Sequence, residues 1–557
     1  MTKKYTAVLS VHGIGRHRRH ANAGALLSAL ESVAGTNDNR DLHTLIKVTP
    51  GIEPSRDASL NADVPMLHLT KAQRHYGKLF VSGAHRIYEV NWSPDTRARL
   101  PVRSMIRWSI ALVATTLRQE PSSWLSWPRL RVARLRLAAE TLSSDAQHHA
   151  LAVLASAYRN YRGSLGTRHR NRVGGKPNFS DFLLFAKSHA KTATTDQALK
   201  AAAAAWCNTE IPAEKTARRA GWSTLWGFAL TLLALTAVTV PFFSEAESSN
   251  IATYAFQFTL LIAIFAGLIR ATRFLTTIFS DVRYWSALSE NDNFHETRNS
   301  VLDRTAGMIR HLVSDPSCVR VVIVSHSLGT AIAYDALRAI GLHNSARQNT
   351  PAEQIQIRKV DCLITMGSPI DKLALLFETT GSHTFREELM RDELRGDLTT
   401  GPFWARDRQR IRWINFWDPA DPISDPLYSP LGAKPRGGHF ELTSIDNVEV
   451  ANTSFFAAAA SHKSYLSNTK VTSRIFQEVF QSSNFVELAG KDYGLTRTRS
   501  RNVTTIAIIS LASLLLGFTL SHWKFEQWLS IAMLRVGAGC FAASVIGLIA
   551  LKLVDHE

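Results

Sequence analysis

Val321-Val322-Ile323-Val324-Ser325-His326-Ser327-Leu328-Gly329-Thr330-Ala331-Ile332-Ala333-Tyr334 decides how the chain is read. Its first four residues are apolar and β-branched, the composition of a strand buried on both faces. The run stops at Ser325-His326-Ser327, and Leu328-Gly329 opens a stretch rich in helix formers. Strand, sharp turn and helix in that order predict a nucleophile elbow, which lifts a serine hydroxyl above a sheet. The next helix then points its partial positive charge at an oxyanion developing on the reacting group. Small flanking residues are needed because the backbone is tight. Gly329 supplies one, but Ser325 stands where the Gly-x-Ser-x-Gly motif has its first glycine. The substitution keeps a small side chain and weakens the bare motif, so a purely structural strand-helix turn competes with the catalytic reading.

Strand-like runs recur at 5–11, 86–91, 319–324, 359–366 and 410–416, with helical patterns between several of them. Apolar strands alternating with helices predict an α/β fold, a mostly parallel sheet flanked by helices on both faces. Residues 130–161 and 198–206 read as helical. Residues 103–136 combine an apolar run with Trp124, Trp127 and several arginines. An interfacial helix, a helical cap and an ordinary domain helix all fit that segment.

Four apolar stretches, 222–243, 251–269, 503–520 and about 529–551, approach the roughly 20 residues that span a bilayer as helix. They predict two transmembrane hairpins, one interrupting and one following the α/β domain, with buried helices of a soluble protein as the competing reading. The expected divisions are 1–220 for the N-terminal part of the domain with a helical insertion and 221–270 for the first hairpin. Residues 271–500 form its C-terminal part, and 501–557 the second hairpin. The formal charge of +18 gathers beside these stretches, as in Lys215, Arg218 and Arg219, then Arg270 and Arg273, then Arg497, Arg499 and Arg501. The linker 243–250 holds two glutamates and no Lys or Arg, so positive-inside reasoning turns the soluble part to the cytoplasm, at the inner membrane in a bacterium. The expected partner is therefore the lipid bilayer and not nucleic acid, for which no recognition motif accompanies the charge. Protein partners are not legible. No apolar leader or cleavage site follows Met1, and the four scattered cysteines predict a reducing compartment without disulfides.

His12-Gly13-Ile14-Gly15 directly follows the first strand-like run, and Gly367-Ser368-Pro369 ends a later one. With Ser-His-Ser-Leu-Gly after a buried strand, these motifs make the chain resemble α/β-hydrolases of the lipase and esterase sort. The resemblance covers the N-terminal strand and about 319–465; residues 95–215 and the apolar stretches lie outside it. It implies Ser327 as nucleophile and an oxyanion loop of His12, Gly13 and Gly15, with the N–H groups of Ile14 and Leu328 as oxyanion donors. The chain order of that fold, nucleophile, acid, histidine, sends the search for the base late in the chain. His462, in Ala460-Ser461-His462-Lys463-Ser464-Tyr465 after a possible last strand at 448–452, has a His-x-x-Tyr arrangement similar to the family's histidine loop. His439, after Gly437-Gly438 in an expected loop, is its competitor. For the acid, Asp421 in Trp417-Asp418-Pro419-Ala420-Asp421-Pro422-Ile423 resembles the family's position and is favoured over Asp418, the alternative acid. Turn formation is the competing use of either aspartate. Ser368 reads as pocket floor and remains a minor alternative nucleophile.

No cofactor and no metal are expected. His17 with His20 and the adjacent His148 and His149 lack partners at zinc-ligand spacing and read as solvated basic surface. Hydrolysis of a carboxylic ester through an acyl-enzyme follows, with an apolar lipid or acylglycerol ester expected from membrane location and resemblance. The alternatives are an acyltransferase on the same scaffold and a non-catalytic membrane interaction protein with a hydrolase-like fold.

Overall fold

The computed structural model describes residues 4–13, 18, 20–36, 45–60, 63–72, 84–92, 128–169, 179–189, 194–210, 294–347, 350–373, 403–405, 408–409, 411–421, 423–428, 433–436, 439–442, 445–453 and 458–481, with isolated positions 285, 503, 506, 536 and 540. Apart from those isolated positions, the four apolar stretches lie outside this set, as do most of 103–136, Ile14, Gly15 and His17. Among the described residues no helix is long and apolar enough to cross a membrane.

Eight strands form one sheet: β1 (Tyr5–Val11), β2 (Leu45–Glu53), β3 (Val64–Ala72), β4 (Ala84–Val90), β5 (Cys318–His326), β6 (Val360–Met366), β9 (Arg412–Trp417) and β12 (Asp446–Glu449). The short strands β7 (Trp404–Ala405) with β8 (Arg408–Gln409), and β10 (Ala433–Arg436) with β11 (His439–Leu442), make two separate antiparallel pairs. The main order is β12-β9-β6-β5-β1-β4-β3-β2, parallel from β12 through β4 and antiparallel for the β4-β3 and β3-β2 pairings. Strands from both ends of the chain thus share one sheet.

Alternation along β1 and β5 explains their continuous hydrophobicity. Ala7, Leu9, Val11, Val321 and Ile323 enter one core with α6 (His295–Ser314) and α7 (Leu328–Ala346). Val8, Val322 and Val324 enter the opposite core with α1 (Ala21–Thr36) and α9 (Thr469–Phe480). Because both faces are covered, both sets of alternate positions are mostly apolar. The helices α2 (Pro128–Thr141), α3 (Asp145–His169), α4 (Phe179–His189) and α5 (Asp196–Asn208) bury a core of their own around Tyr158, Phe182 and Trp206.

Several sequence expectations are corrected. Residues 130–161 are two helices, because Ser144 accepts from Gln147 N–H and caps the start of α3. His148 is more than solvated surface: its ring nitrogens lie 2.9 and 3.1 Å from the carbonyls of Ser144 and Ala139, bridging α2 and α3. His439 opens strand β11 rather than lying in a loop. The last strand of the sheet is Asp446–Glu449, earlier than 448–452.

The register places the site. Val11 pairs with Ser325, His326 with Met366, Met366 with Phe416, and Trp417 with Glu449. The chain therefore leaves β1, β5, β6, β9 and β12 along one edge of the sheet, carrying His12-Gly13, Ser327, Gly367-Ser368, Asp418–Asp421 and Val450 with it.

Candidate active site at the carboxyl edge of the sheet

Ser327 is the residue between β5 and α7, at φ 54° and ψ −132°. A non-glycine side chain held there costs on the order of 1–3 kcal/mol and persists only where neighbouring bonds fix it. Its N–H donates to Met366 O at 2.9 Å, and its carbonyl accepts from Thr330 N–H at 3.0 Å and Thr330 Oγ1 at 2.7 Å. Thr330 Oγ1 also lies 2.9 Å from Ser368 Oγ, tying the turn to the segment after β6. Ser325, the departure from the glycine motif, is buried and donates its hydroxyl to Ile364 O at 3.0 Å. Ser368 is thus buried and braces the elbow through Thr330.

Two glycines let backbone approach this turn. A methyl on Gly13 would lie 2.5 Å from Ser327 Cβ and 3.2 Å from its Oγ; one on Gly329 would lie 2.3 Å from His12 O. The His12 ring is not in the space above Ser327 but stacks on Trp92, with centroids 4.7 Å apart. Trp92 N–H donates to His12 Nε2 at 3.3 Å, and the indole N–H donates to His12 O at 3.0 Å. With Nε2 accepting, Nδ1 carries the proton and donates to Gly13 O at 2.8 Å. Leu328 opens α7, whose first-turn N–H groups have no intrahelical acceptors. Ile14 and Gly15, the other expected parts of the oxyanion site, lie outside the described residues.

His462 lies in the short helix α8 (Ala458–Lys463), and Asp421 in the turn after β9. His462 Nε2 is 2.9 Å from Ser327 Oγ, and His462 Nδ1 is 2.8 Å from Asp421 Oδ2. All three side chains are buried. Burial pushes the Asp421 carboxyl up, but His462, the Ile423 N–H and the Tyr465 hydroxyl together hold it below the usual carboxylate value. An ionised Asp421 accepting from Nδ1–H leaves the Nε2 lone pair facing the serine hydroxyl, the geometry of a nucleophile with its general base.

Asp418 is not in that line. Its Oδ1 accepts from Ala420 N–H at 2.8 Å, and its Oδ2 accepts from Asn452 N–H at 2.9 Å and from the Ser461 hydroxyl. It fastens the acid turn to the segment before His462. His326 adds a second tie, its Nε2 lying 2.8 Å from His462 O. The sequence pattern gave no role to Thr330 or Trp92, and Tyr465 no contact of its own. The polar i+3 residue after the serine and the tryptophan just beyond a strand-like run were the available signals. Among the described residues no group of three or more His, Cys, Asp or Glu is placed to hold a metal ion. No family model, curated protein or solved structure matches the chain.

Proposed function

We propose that the chain is a membrane-anchored serine hydrolase of the α/β-hydrolase type, cleaving carboxylic esters of lipid or acylglycerol kind through an acyl-enzyme. One observation carries the chemical half: Ser327, at φ 54°, has its Oγ 2.9 Å from His462 Nε2, while His462 Nδ1 is 2.8 Å from Asp421 Oδ2. The order serine, aspartate, histidine and a nucleophile between a central parallel strand and a helix agree with that fold.

Ser327 Oγ attacks the ester carbonyl carbon as its proton passes to His462 Nε2. Asp421 stabilises the resulting imidazolium and keeps its Nδ1 proton in place. The Leu328 N–H, with that of Ile14 by resemblance, donates to the oxyanion; such a donor contributes about 2.7–4 kcal/mol to the transition state. The imidazolium protonates the leaving alkoxide. Water then gives a proton to Nε2 as it attacks the acyl carbon, and collapse of the second intermediate returns the proton to Ser327 and frees the acid.

The lipid half rests on the four apolar stretches and their basic flanks, which would hold the carboxyl edge of the sheet near an interface where an apolar ester is concentrated, with the α/β part on the cytoplasmic side. The test is fluorophosphonate labelling of the full chain in mild detergent. Wild type reacts, and Ser327→Ala and His462→Ala do not; a folded wild type that stays unlabelled refutes the reading. Equal turnover of long-chain and short soluble esters, with or without the apolar stretches, refutes the lipid half alone.

A further inference from the structure

Two donors share one oxygen of Asp421. His462 Nδ1 at 2.8 Å and the Tyr465 hydroxyl at 3.0 Å both meet Oδ2, while Ile423 N–H takes Oδ1 at 2.8 Å. Tyr465 has a single proton to give, and Ser424 Oγ lies 2.9 Å from the same phenol oxygen. Were that proton directed at Ser424, phenol and carboxylate oxygens would face each other at 3.0 Å with no hydrogen between them. In a buried site that arrangement sets the lone pairs of a charged acceptor against those of the phenol and is the costlier of the two. The proton therefore lies towards Asp421, and Ser424 donates to Tyr465 at 2.9 Å in preference to the Asp418 carbonyl at 3.4 Å. Ser424 in turn accepts from Asp418 N–H at 3.2 Å. The bonds run one way, from the backbone of the turn through two hydroxyls to the carboxylate oxygen that faces the base. Each hydroxyl accepts one bond and donates the next, the arrangement in which hydrogen bonds polarise one another.

We propose that Tyr465 is a positioning residue for the reaction at Ser327: its hydroxyl fixes the rotamer of Asp421, takes up part of the carboxylate's charge, and thereby sets the proton affinity of His462. The inference rests on the hydrolase reading of the site. A carboxylate oxygen that loses one donor becomes a stronger acceptor for the other, so imidazolium beside it is favoured and the base becomes harder to deprotonate. The tuning group and the base come from one short segment, three residues apart. Tyr465 begins the 3-10 turn Tyr465–Ser467 that follows α8, and its ring is buried against the positive-φ turn at Gly367. Other ionisable groups face the same cluster. Asp418 shares the turn, the His326 ring from the elbow lies 4.9 Å from that of His462, and Lys372, paired with Asp425 at 3.1 Å, donates to Ser424 O at 3.2 Å. Removing only the phenol oxygen leaves all of them in place.

The experiment is the pH dependence of the second-order rate of fluorophosphonate labelling, measured on the full chain in mild detergent for wild type, Tyr465→Phe and Ser424→Ala. The acidic limb of Tyr465→Phe is expected to move up by roughly 0.5–1 pH unit, and that of Ser424→Ala by less in the same direction. The plateau of Tyr465→Phe should fall by about tenfold at most, against the roughly 10⁴-fold that loss of a triad carboxylate causes. A tyrosine that served packing alone would alter the plateau or the melting temperature and leave the limb where it is. Superimposable acidic limbs in natively melting variants overturn the inference while the labelled wild type keeps the hydrolase reading. Should Tyr465→Phe fail to fold, the limb of Ser424→Ala decides by the same criterion. A folded wild type unlabelled at every pH overturns the hydrolase reading itself, and the inference with it.

Discussion

Replacing Asp421 with Asn tests the assignment of the acid, because the bonds around this carboxylate leave the amide no good orientation. Asp421 accepts three bonds, one at Oδ1 from Ile423 N–H and two at Oδ2 from His462 and Tyr465. With the amide oxygen at Oδ1, the NH₂ group sits at Oδ2 and donates to His462 Nδ1. The ring proton must then move to Nε2, which lies 2.9 Å from Ser327 Oγ and can no longer accept from it. With the amide turned over, its NH₂ faces the Ile423 N–H at 2.8 Å, donor against donor. The first orientation keeps the backbone bond and prevails, leaving the base in the wrong tautomer. Loss of a triad carboxylate by this route costs about 10⁴ in rate, equivalent to about 5.4 kcal/mol of barrier. The assay is the second-order rate of fluorophosphonate labelling in the folded variant, with Asp418→Asn beside it. Asp418 bonds Ala420, Asn452 and Ser461, so its replacement should lower stability by about 1–3 kcal/mol and slow labelling by about tenfold at most. The assignment is wrong if Asp421→Asn labels within about tenfold of wild type, or if Asp418→Asn is the variant that falls 10⁴-fold.

Gly13→Ala places a methyl 2.5 Å from Ser327 Cβ; labelling should fall at least about a hundredfold while melting drops by the equivalent of about 1–3 kcal/mol, and an unchanged rate would show that the His12-Gly13 segment does not lie over the nucleophile. Ser325→Gly restores the glycine of the elbow but removes the hydroxyl bond to Ile364 O, so a chemical melt should show a loss of about 1–2 kcal/mol with labelling within about threefold of wild type. Glu53, Asp57, Asp315, Asp361 and Asp421 are all subject to burial that raises them, yet hydrogen bonds and cations hold each below its ordinary value. A carboxylate whose folded pKa is depressed contributes stability above its unfolded pKa and loses it as pH falls through the folded one. The melting temperature should therefore be level above about pH 5 and fall steadily below about pH 4, and a level profile down to pH 3 would contradict these assignments.

Much of the sheet was legible because burial on both faces writes itself into sequence: β1, β5, β6 and β9 are near-continuous apolar runs, found within a few residues of their ends. β2 and β3 were not found. β2 is the edge strand and β3 its neighbour; Ile52 is 72% exposed, and Pro50, Gly51 and Pro65 interrupt the strand signal. Pro50 is tolerated because one side of an edge strand makes no ladder bonds, and Pro65 because it precedes the first residue of β3 that pairs with β4. Motif and chain order favoured Ser327 over Ser368 and His462 over His439. The acid was harder. Asp418 and Asp421 occupy the same turn, three residues apart, and either could serve by composition. Resemblance at Asp421-Pro422-Ile423 favoured Asp421, and their bonds separate them in the structure, Asp421 Oδ2 meeting His462 Nδ1 while Asp418 meets Ala420, Asn452 and Ser461. The cluster Ser424, Tyr465 and Asp421 spans the turn after β9 and the segment after α8, so its contacts became visible only once both were in place.

The division of labour between the two aspartates follows from where rigidity is needed. Ser327 is held by one backbone hydrogen bond to β6 and by Thr330, all within the sheet edge and α7. His462 has no such scaffold, since α8 spans only Ala458–Lys463 and a six-residue helix does little to fix its own orientation. Asp418 supplies the missing anchor by bonding Ser461, the residue before the base, and Asn452, whose side chain donates to Ser461 O at 2.9 Å and accepts from Asn468 Nδ2 at 3.0 Å. His326 holds the carbonyl of His462 itself. The oxygens of Asp418 meet the backbone of Ala420 and Asn452 and the hydroxyl of Ser461, whereas Asp421 Oδ2 meets the imidazole. Asp418 thus holds the segment that carries the base while Asp421, three residues later, accepts from the base itself.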